Sequence, residues 1–492
     1  VKPETSAIEL LTSEQRELLA ALVLEGGAAA DTFPLSFAQQ RLWFLDQLAP
    51  GSPSYNIAAA IELTGRLDAA VLAAGLTDVV ARHEILRTTF VAFDGQPLQV
   101  VAPAAAVPLS LVDLAGLPAA AGRVEALRLA GDESRRGFDL AAGPLLRAAL
   151  VRRTESDHVL LLTLHHIISD GWSSRLFARD LAAFYEARLR AMAPVLPELP
   201  IQYADYAQWQ QDEITDERLS PQLAEWADRL RGLPPLVLPT DRPRPAVSRH
   251  RGGRRPVRLS GRDAASLAVL CKSRGTTLFG GLLALFQVLL GRLSGQADVA
   301  VGAPTANRNR AEIEELIGCF INTLVLRTDL AGGPSFAELL GRVREVVVAA
   351  LASQDVPFEK LVEILEPERG LSQPPLVQAL LALQSTPLDL HLSGLTLRLA
   401  DVDNGTSKLD LLLSLIEETA GLAGYLEYDA DLFDGSTADR LLEHLGVLLA
   451  GAVGSPERRI GELPMLSEEQ RWQLLVEWNA ESGREFPAAT LG

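Results

Sequence analysis

At 492 residues and 52.9 kDa the chain is too long for one ordinary hydrophobic core, and it calls for two domains or a large two-lobed unit. A formal net charge of -18 excludes a nonspecific nucleic-acid binder, and 48% hydrophobic with 22% charged residues describes a soluble globular chain. Two cysteines give no disulfide framework, and the opening VKPETSAIELL has neither a basic nor an apolar leader region, so the expected location is cytoplasmic.

Along the chain, a helix beginning at Ser13 dies in glycine and alanine, which reads as a connector over 1–32. At Phe33 the texture changes, and a helix follows with Trp43, Phe44 and Leu48 on one face. A strand is expected over 57–63, an alanine-rich helix over 67–82, and a hairpin over 88–101 that turns at Asp94-Gly95. Residues 158–165, HVLLLTLH, read as a strand buried on both faces, and Asp170-Gly171 then turns the chain into a helix over 172–190. A charged helix over 221–230 leads to the proline-rich crossing PPLVLPTDRPRP. Beyond it come a strand (254–259), two helices (261–274 and 276–293) and strands at 298–302, 324–328, 409–417 and 423–428. The apolar run 278–290 is shorter than a membrane span and reads as a buried helix. The fold class is therefore mixed α/β in two lobes with a cleft between them, although no internal repeat is legible.

The chemistry concentrates at His165 and His166. Alternation along a strand sends these side chains to opposite faces, so one meets a substrate while the other packs. A metal site is not expected, because the rings diverge, Cys271 and Cys319 stand apart from any histidine cluster, and no HExxH or CxxC occurs. GWSSR is not a nucleophile elbow, and Ser173 and Ser174 sit where helix N-cap residues belong. What remains is a histidine acting as base or as orienting group, with Asp170 fixing its position or pairing with a distant arginine.

Seven segments, in order, then carry a resemblance. They are LSFAQQRLWFLDQL (35–48), RHEILRTTF (82–90), HHIISDGWS (165–173), YADYAQW (203–209), IGCFINTLVLR (317–327), QDVPFEKLV (354–362) and RGLSQPPLVQ (369–378). From Phe33 to Asn479 the chain resembles the condensation domains of nonribosomal peptide synthetases. Two departures stand out: Ser372 is followed by Gln373, Pro374 and Pro375, where the family usually has Arg-Asn-Pro, and Ser353 replaces the usual histidine before QDVPF. The histidine motif is intact.

The resemblance implies two chloramphenicol acetyltransferase-like lobes in a V-shaped pseudo-dimer with a central tunnel. It divides the chain into an upstream linker (1–32), an N-terminal lobe (33–212), a C-terminal lobe (213–463) and a downstream linker towards an adenylation domain (464–492). It implies peptide-bond formation by attack of an acceptor amine on a donor thioester, both held on phosphopantetheine arms of carrier proteins, one upstream and one downstream. The domain binds no cofactor of its own, no metal, no membrane and no nucleic acid, and as an excised piece is expected to be monomeric.

The site it implies is the HHxxxDG set of His165, His166, Asp170 and Gly171, with His166 facing the tunnel and Asp170 in a salt bridge to Arg308 of GAPTANR. Trp172, Ser173, Asn322, Thr323, Arg82 and Arg87 are candidates for the tunnel wall. Gly171 is expected to let the loop approach the thioester. DGWSS in place of DGVSW separates the chain from epimerisation domains, and the first motif and HHIISDGWS favour the class that joins two L-residues, in secondary metabolism of the antibiotic or siderophore kind. Alternatives are a starter domain acylating the first amino acid from acyl-CoA or an acyl carrier, and a silent carrier-recruitment domain.

Overall fold

The structure is a computed structural model and describes residues 31–365, 373–384, 392–400 and 402–480. The helix expected from Ser13, residues 369–372 of the last motif and the tail 481–492 lie outside the described residues.

The first lobe is built on a five-stranded sheet in the order β12-β2-β7-β6-β5, where β2 is Asn56–Gly65, β5 Leu109–Asp113, β6 Leu146–Arg152, β7 Asp157–His165 and β12 Leu395–Ala400. A small sheet of β1 (Asp31–Pro34), β4 (Gln96–Val101) and β3 (Thr88–Phe93) sits beside it, and its hairpin turns at Asp94 and Gly95, both at positive φ. β7 is central and buried along nearly its whole length, because α2 (Ala69–Arg82) and α4 (Gly171–Leu189) cover one face of the sheet and α3 (Ala119–Arg135) the other. Leu72, Leu76, Val79 and Leu181 are fully buried between them.

The second lobe has a six-stranded sheet, β10-β9-β11-β13-β14-β8, made of β8 Gly252–Ser260, β9 Asp298–Thr305, β10 Asn322–Asp329, β11 Ala379–Gln384, β13 Leu411–Glu418 and β14 Gly421–Asp429. Its core helix is α8 (Leu278–Ser294), the apolar run of the sequence, buried among strands and helices rather than in lipid. No single described helix is long and apolar enough to cross a membrane. The chain passes from one core to the other between α5 (Tyr203–Glu213) and α6 (Asp216–Leu230): Tyr203 and Tyr206 belong to the first core, Leu223 and Trp226 to the second.

Two pieces of the second half return to the first lobe. β12 pairs antiparallel with β2, from Leu395 opposite Gly65 to Ala400 opposite Ala60. Ile313, Leu316, Ile317, Cys319 and Phe320 are buried in the first core.

Several expectations need correction. α1 (Phe37–Leu48) buries Phe37, Gln39 and Leu42, whereas Phe44 and Leu48 are 58% and 55% exposed. The reason is polar: Gln39 completes a capping box with Ser36 and donates to Gln99 Oε1 at 3.1 Å, which turns that side of the helix inward. α6 begins five residues early, with Thr215 as its cap and Pro221 inside it on the exposed side. Strands β1, β5, β6, β11 and β12 had no clear signal, and it is neighbouring strands that make them strands. Ser173 and Ser174 are not caps; Asp170 is, accepting from Ser173 N at 2.7 Å.

Candidate active site

β7 ends at His165, and His166 opens a single 3-10 turn before Asp170 caps α4. The two histidines separate because the strand stops between them. His165 is buried beside Tyr55 and Phe138, its Nδ1 accepting from Ile167 N at 3.2 Å, and burial drives its pKa down to about 3. His165 is thus enclosed by packed side chains. His166 is half-buried; burial foremost, then the charge of Lys408, lowers its pKa to about 3, so the ring is neutral.

Asp170 is a hub of hydrogen bonds. One oxygen accepts from Ser173 N and, at 3.4 Å, from Arg308 Nη2, and the other accepts from Phe320 N at 3.0 Å. Arg308 and Asp170 side chains are only 2% and 3% exposed. Arg308 donates through Nη1 to the carbonyls of Ile313 and Leu316, both at 2.6 Å, and its guanidinium lies 4.0 Å from the Phe320 ring centroid. These bonds offset the cost of enclosing the ion pair, and removing one partner would leave a charge stranded. The result is that segment 313–320 of the second half is fastened to the histidine turn of the first.

Ser173 completes the fastening. Its hydroxyl donates to Gly318 O at 2.8 Å and accepts from Gly318 N at 3.0 Å and Arg308 Nη2 at 2.9 Å. Tyr203 donates to Cys319 O at 2.6 Å. A Cβ on Gly318 would lie 1.9 Å from the Tyr203 ring, so only glycine fits there. Cys319 places its Sγ 3.8 Å from His166 Nδ1, with burial raising the thiol well above its ordinary range, so it packs against the imidazole as a neutral group.

The other candidates scatter. Ser173 is fully buried and faces no open space. Asn322 is saturated: Nδ2 donates to the carbonyls of Gln354 and Val356, and Oδ1 accepts from the backbone of Thr323 and Phe358. Thr323 is half-buried on β10 opposite Pro304. Arg82 binds Asp180 at 3.0 Å and the Pro197 carbonyl, while Arg87 binds Glu84 and the Ala102 carbonyl, so both are engaged by protein partners. Trp172 donates to Glu314 O at 3.1 Å across the lobes and keeps about a third of its surface exposed. Gly171 opens α4, and a Cβ there would meet no protein atom, so no close packing requires the glycine.

Two residues that were not singled out in the sequence, Lys408 and Arg41, are the charged groups that act on His166. Arg41 on α1 faces Glu359 on α10 (Phe358–Leu365) at 3.7 Å across the lobes. Tyr55 and Lys408 meet at 4.6 Å. Arg41, Glu359 and Lys408 keep accessible surface, and burial is the largest influence on Glu359, whose pKa it raises, and on Lys408, whose pKa it lowers to about 8. Arg41 and Glu359 lay inside the quoted motifs; Tyr55 carried no signal. Among the described residues no three metal-ligating side chains come together.

The family model described as Condensation domain matches residues 29–475. One of the linear gramicidin synthase proteins of Brevibacillus parabrevis is 50% identical over 451 residues, 91% of this chain and 9% of that protein. The chain thus spans less than a tenth of the length of the linear gramicidin synthase proteins it matches. The crystal structure of the X-domain from teicoplanin biosynthesis superimposes with a TM-score of 0.81 at 34% identity, over 88% of this chain and 97% of that one. A four-domain nonribosomal peptide synthetase, holo-AB3403 bound to AMP and glycine, does so with a TM-score of 0.81 at 26% identity, over 90% of this chain and 34% of that one.

Proposed function

The chain belongs to the condensation-domain family, and we propose from that premise that it forms a peptide bond between two residues delivered on carrier-protein arms. The acceptor's amine attacks the carbonyl carbon of the donor thioester; the C–N bond forms, the C–S bond breaks, and the departing thiolate takes up the proton that the amine gives away. The donor arm comes from an upstream carrier protein and the acceptor arm from a downstream one, meeting in a tunnel between the two lobes of a V-shaped pair. Residues 33–212 make the first lobe together with β12 and segment 313–320, the rest of 213–463 makes the second, the flanking pieces join the domain to its neighbours, an adenylation domain among them, and the assembly works in the cytoplasm. The donor and acceptor are both L-configured.

The observation that supports this reading is the place of His166: half-buried at the end of β7, on the turn that Asp170, Arg308 and Ser173 fasten to segment 313–320, with a neutral ring. A ring with so low a proton affinity is a poor resting place for a proton, so its larger contribution is to orient the amine by hydrogen bonding and to stabilise the zwitterionic intermediate. Asp170, Arg308 and Ser173 act at one remove by fixing the turn that carries it.

The test is single-turnover dipeptidyl-thioester formation, followed by mass spectrometry, with donor and acceptor loaded on separate carrier proteins. The native chain is expected to form product and His166→Ala to be slower by about a hundredfold or more. Absence of product from the native chain with several L- and D-donors overturns the reading, and turnover with acyl-CoA instead identifies a starter domain.

A further inference from the structure

Cys319 stands 153 positions from His166 in the chain, and nothing in the sequence joins the two. Folding brings its Sγ to 3.8 Å from Nδ1 of the imidazole. Among the described residues, and apart from backbone carbonyls of the histidine's own turn, this thiol is the hydrogen-bonding partner of the ring.

Both sides of the contact are fixed through the backbone. Ser173 Oγ holds the amide and the carbonyl of Gly318, Tyr203 donates to the Cys319 carbonyl, and Asp170 accepts from Phe320 N. Tyr203 is itself tied, its hydroxyl lying 2.8 Å from Oγ of Ser36, which caps α1. A cysteine has one torsion before its sulfur, so a backbone held at three successive residues leaves Sγ a few staggered places, of which packing selects one. The carboxylate that receives Phe320 N also receives Ser173 N and so caps α4, directly after the turn that carries His166. One side chain thus sets the separation of sulfur and imidazole.

We propose that Cys319 is a positioning residue for the condensation reaction: its thiol holds the His166 ring at Nδ1 in one rotamer and one tautomer, which leaves Nε2 as the nitrogen presented to the acceptor amine. The inference rests on the condensation reading.

A cysteine beside a histidine is also the arrangement of a covalent acyl-transfer site. Here the thiol is 1% exposed and burial holds it protonated, so it supplies neither a thiolate nor an open approach for a thioester carbonyl. What it supplies is a hydrogen bond to a neutral ring. In a neutral imidazole one nitrogen carries the proton and the other is bare, and the bond made at one of them decides which. Without the thiol the ring is free to turn about its Cβ–Cγ bond and to exchange tautomers, and either change misplaces the group that orients the amine.

The experiment measures single-turnover peptide formation against acceptor-carrier concentration with the native chain, C319A and C319S. In C319A the rate at saturating acceptor is expected to fall about tenfold, with the half-saturating concentration unchanged. C319S keeps a hydroxyl facing Nδ1 and is expected to return the rate to within about threefold of native. The companion measurement is the nitrogen NMR of the His166 ring at pH 7.5, assigned by its loss in H166Q. Its two resonances are expected to lie far apart in the native chain and to draw together in C319A as the tautomers mix. A saturated rate that C319A leaves at the native value, a loss of rate with the ring resonances unmoved, or a C319S no better than C319A each overturns the proposal and leaves the condensation reading intact. A native chain that forms no peptide defeats that reading instead. Cys319 is then judged by the ring resonances alone: convergence in C319A supports the contact and unmoved resonances overturn it. C319V, which fills the space without a polar group, replaces C319A should circular dichroism show the latter unfolded.

Discussion

The two lobes carry the same piece of architecture and use it differently. In the first, strands run β2-β7-β6-β5; in the second, β8-β14-β13-β11; and in both the successive pairings are antiparallel, antiparallel and parallel. α4 follows β7 as α11 (Gly435–Gly454) follows β14, and each helix is preceded by an Asp-Gly step, Asp170-Gly171 and Asp434-Gly435. His166 stands four residues before the first aspartate, and Ala430 four before the second. Asp170 is buried in a web of bonds, whereas the Asp434 side chain is 52% exposed, makes no capping bond and pairs with Arg242 at the surface. Strand, turn and Asp-Gly step therefore recur in both lobes; the imidazole and the buried ion pair stand in the first.

The sharpest way to break this comparison is to move the histidine. Ala430→His in the His166→Ala background is expected to restore nothing, leaving peptide formation down by about a hundredfold or more, because the turn after β14 has an exposed aspartate without a capping bond to fix it. Recovery of even a tenth of native activity would show the two turns to be interchangeable.

Next in size is the aspartate. Asp170→Ala strands Arg308 and orphans the Phe320 amide, and should cost about 3 to 5 kcal/mol in urea unfolding. Asp434→Ala removes an exposed pair and should cost less than about 1 kcal/mol. Equal losses would mean that burial does not distinguish the two caps.

The smallest effect concerns pH. His165 has a folded pKa of about 3 against an ordinary value near 6.5, so the unfolded chain binds its proton first and stability falls as pH drops below about 6.5. Asp429, which ends β14, has the opposite displacement, raised by burial, so its contribution strengthens as pH falls. Between pH 6.5 and 5 His165→Gln should relieve about 2 kcal/mol of acid-induced loss, read as the difference in urea stability between pH 7.5 and 5. An unchanged difference would place the acid sensitivity elsewhere.

Most of this repeat was hidden in the sequence. The central strand 158–165, the turn at Asp170-Gly171 and the long helices were legible because their apolar spacing is strong. Asp434-Gly435 is the same turn signal, but with alanine in place of histidine nothing drew attention to it. β12 was illegible because LTLRLA becomes a strand only against β2. At the site, the motif residues were easy to find and their division of labour was not. Asn322, Arg82 and Ser173 look like ligands for a substrate until their partners are seen, and Lys408 looks like any surface lysine until Tyr55 is placed beneath it.

The returning strand β12 also sets where this chain can be cut. A gene fragment ending at residue 213 would translate into a sheet with β2 bare along its edge, an invitation to aggregate, and into a core lacking Cys319 and Phe320. The first lobe cannot finish folding until β12, made well after the rest of its sheet, has been synthesised. For anyone exchanging units between synthetases, the two lobes travel together, and the safe seams lie outside them both.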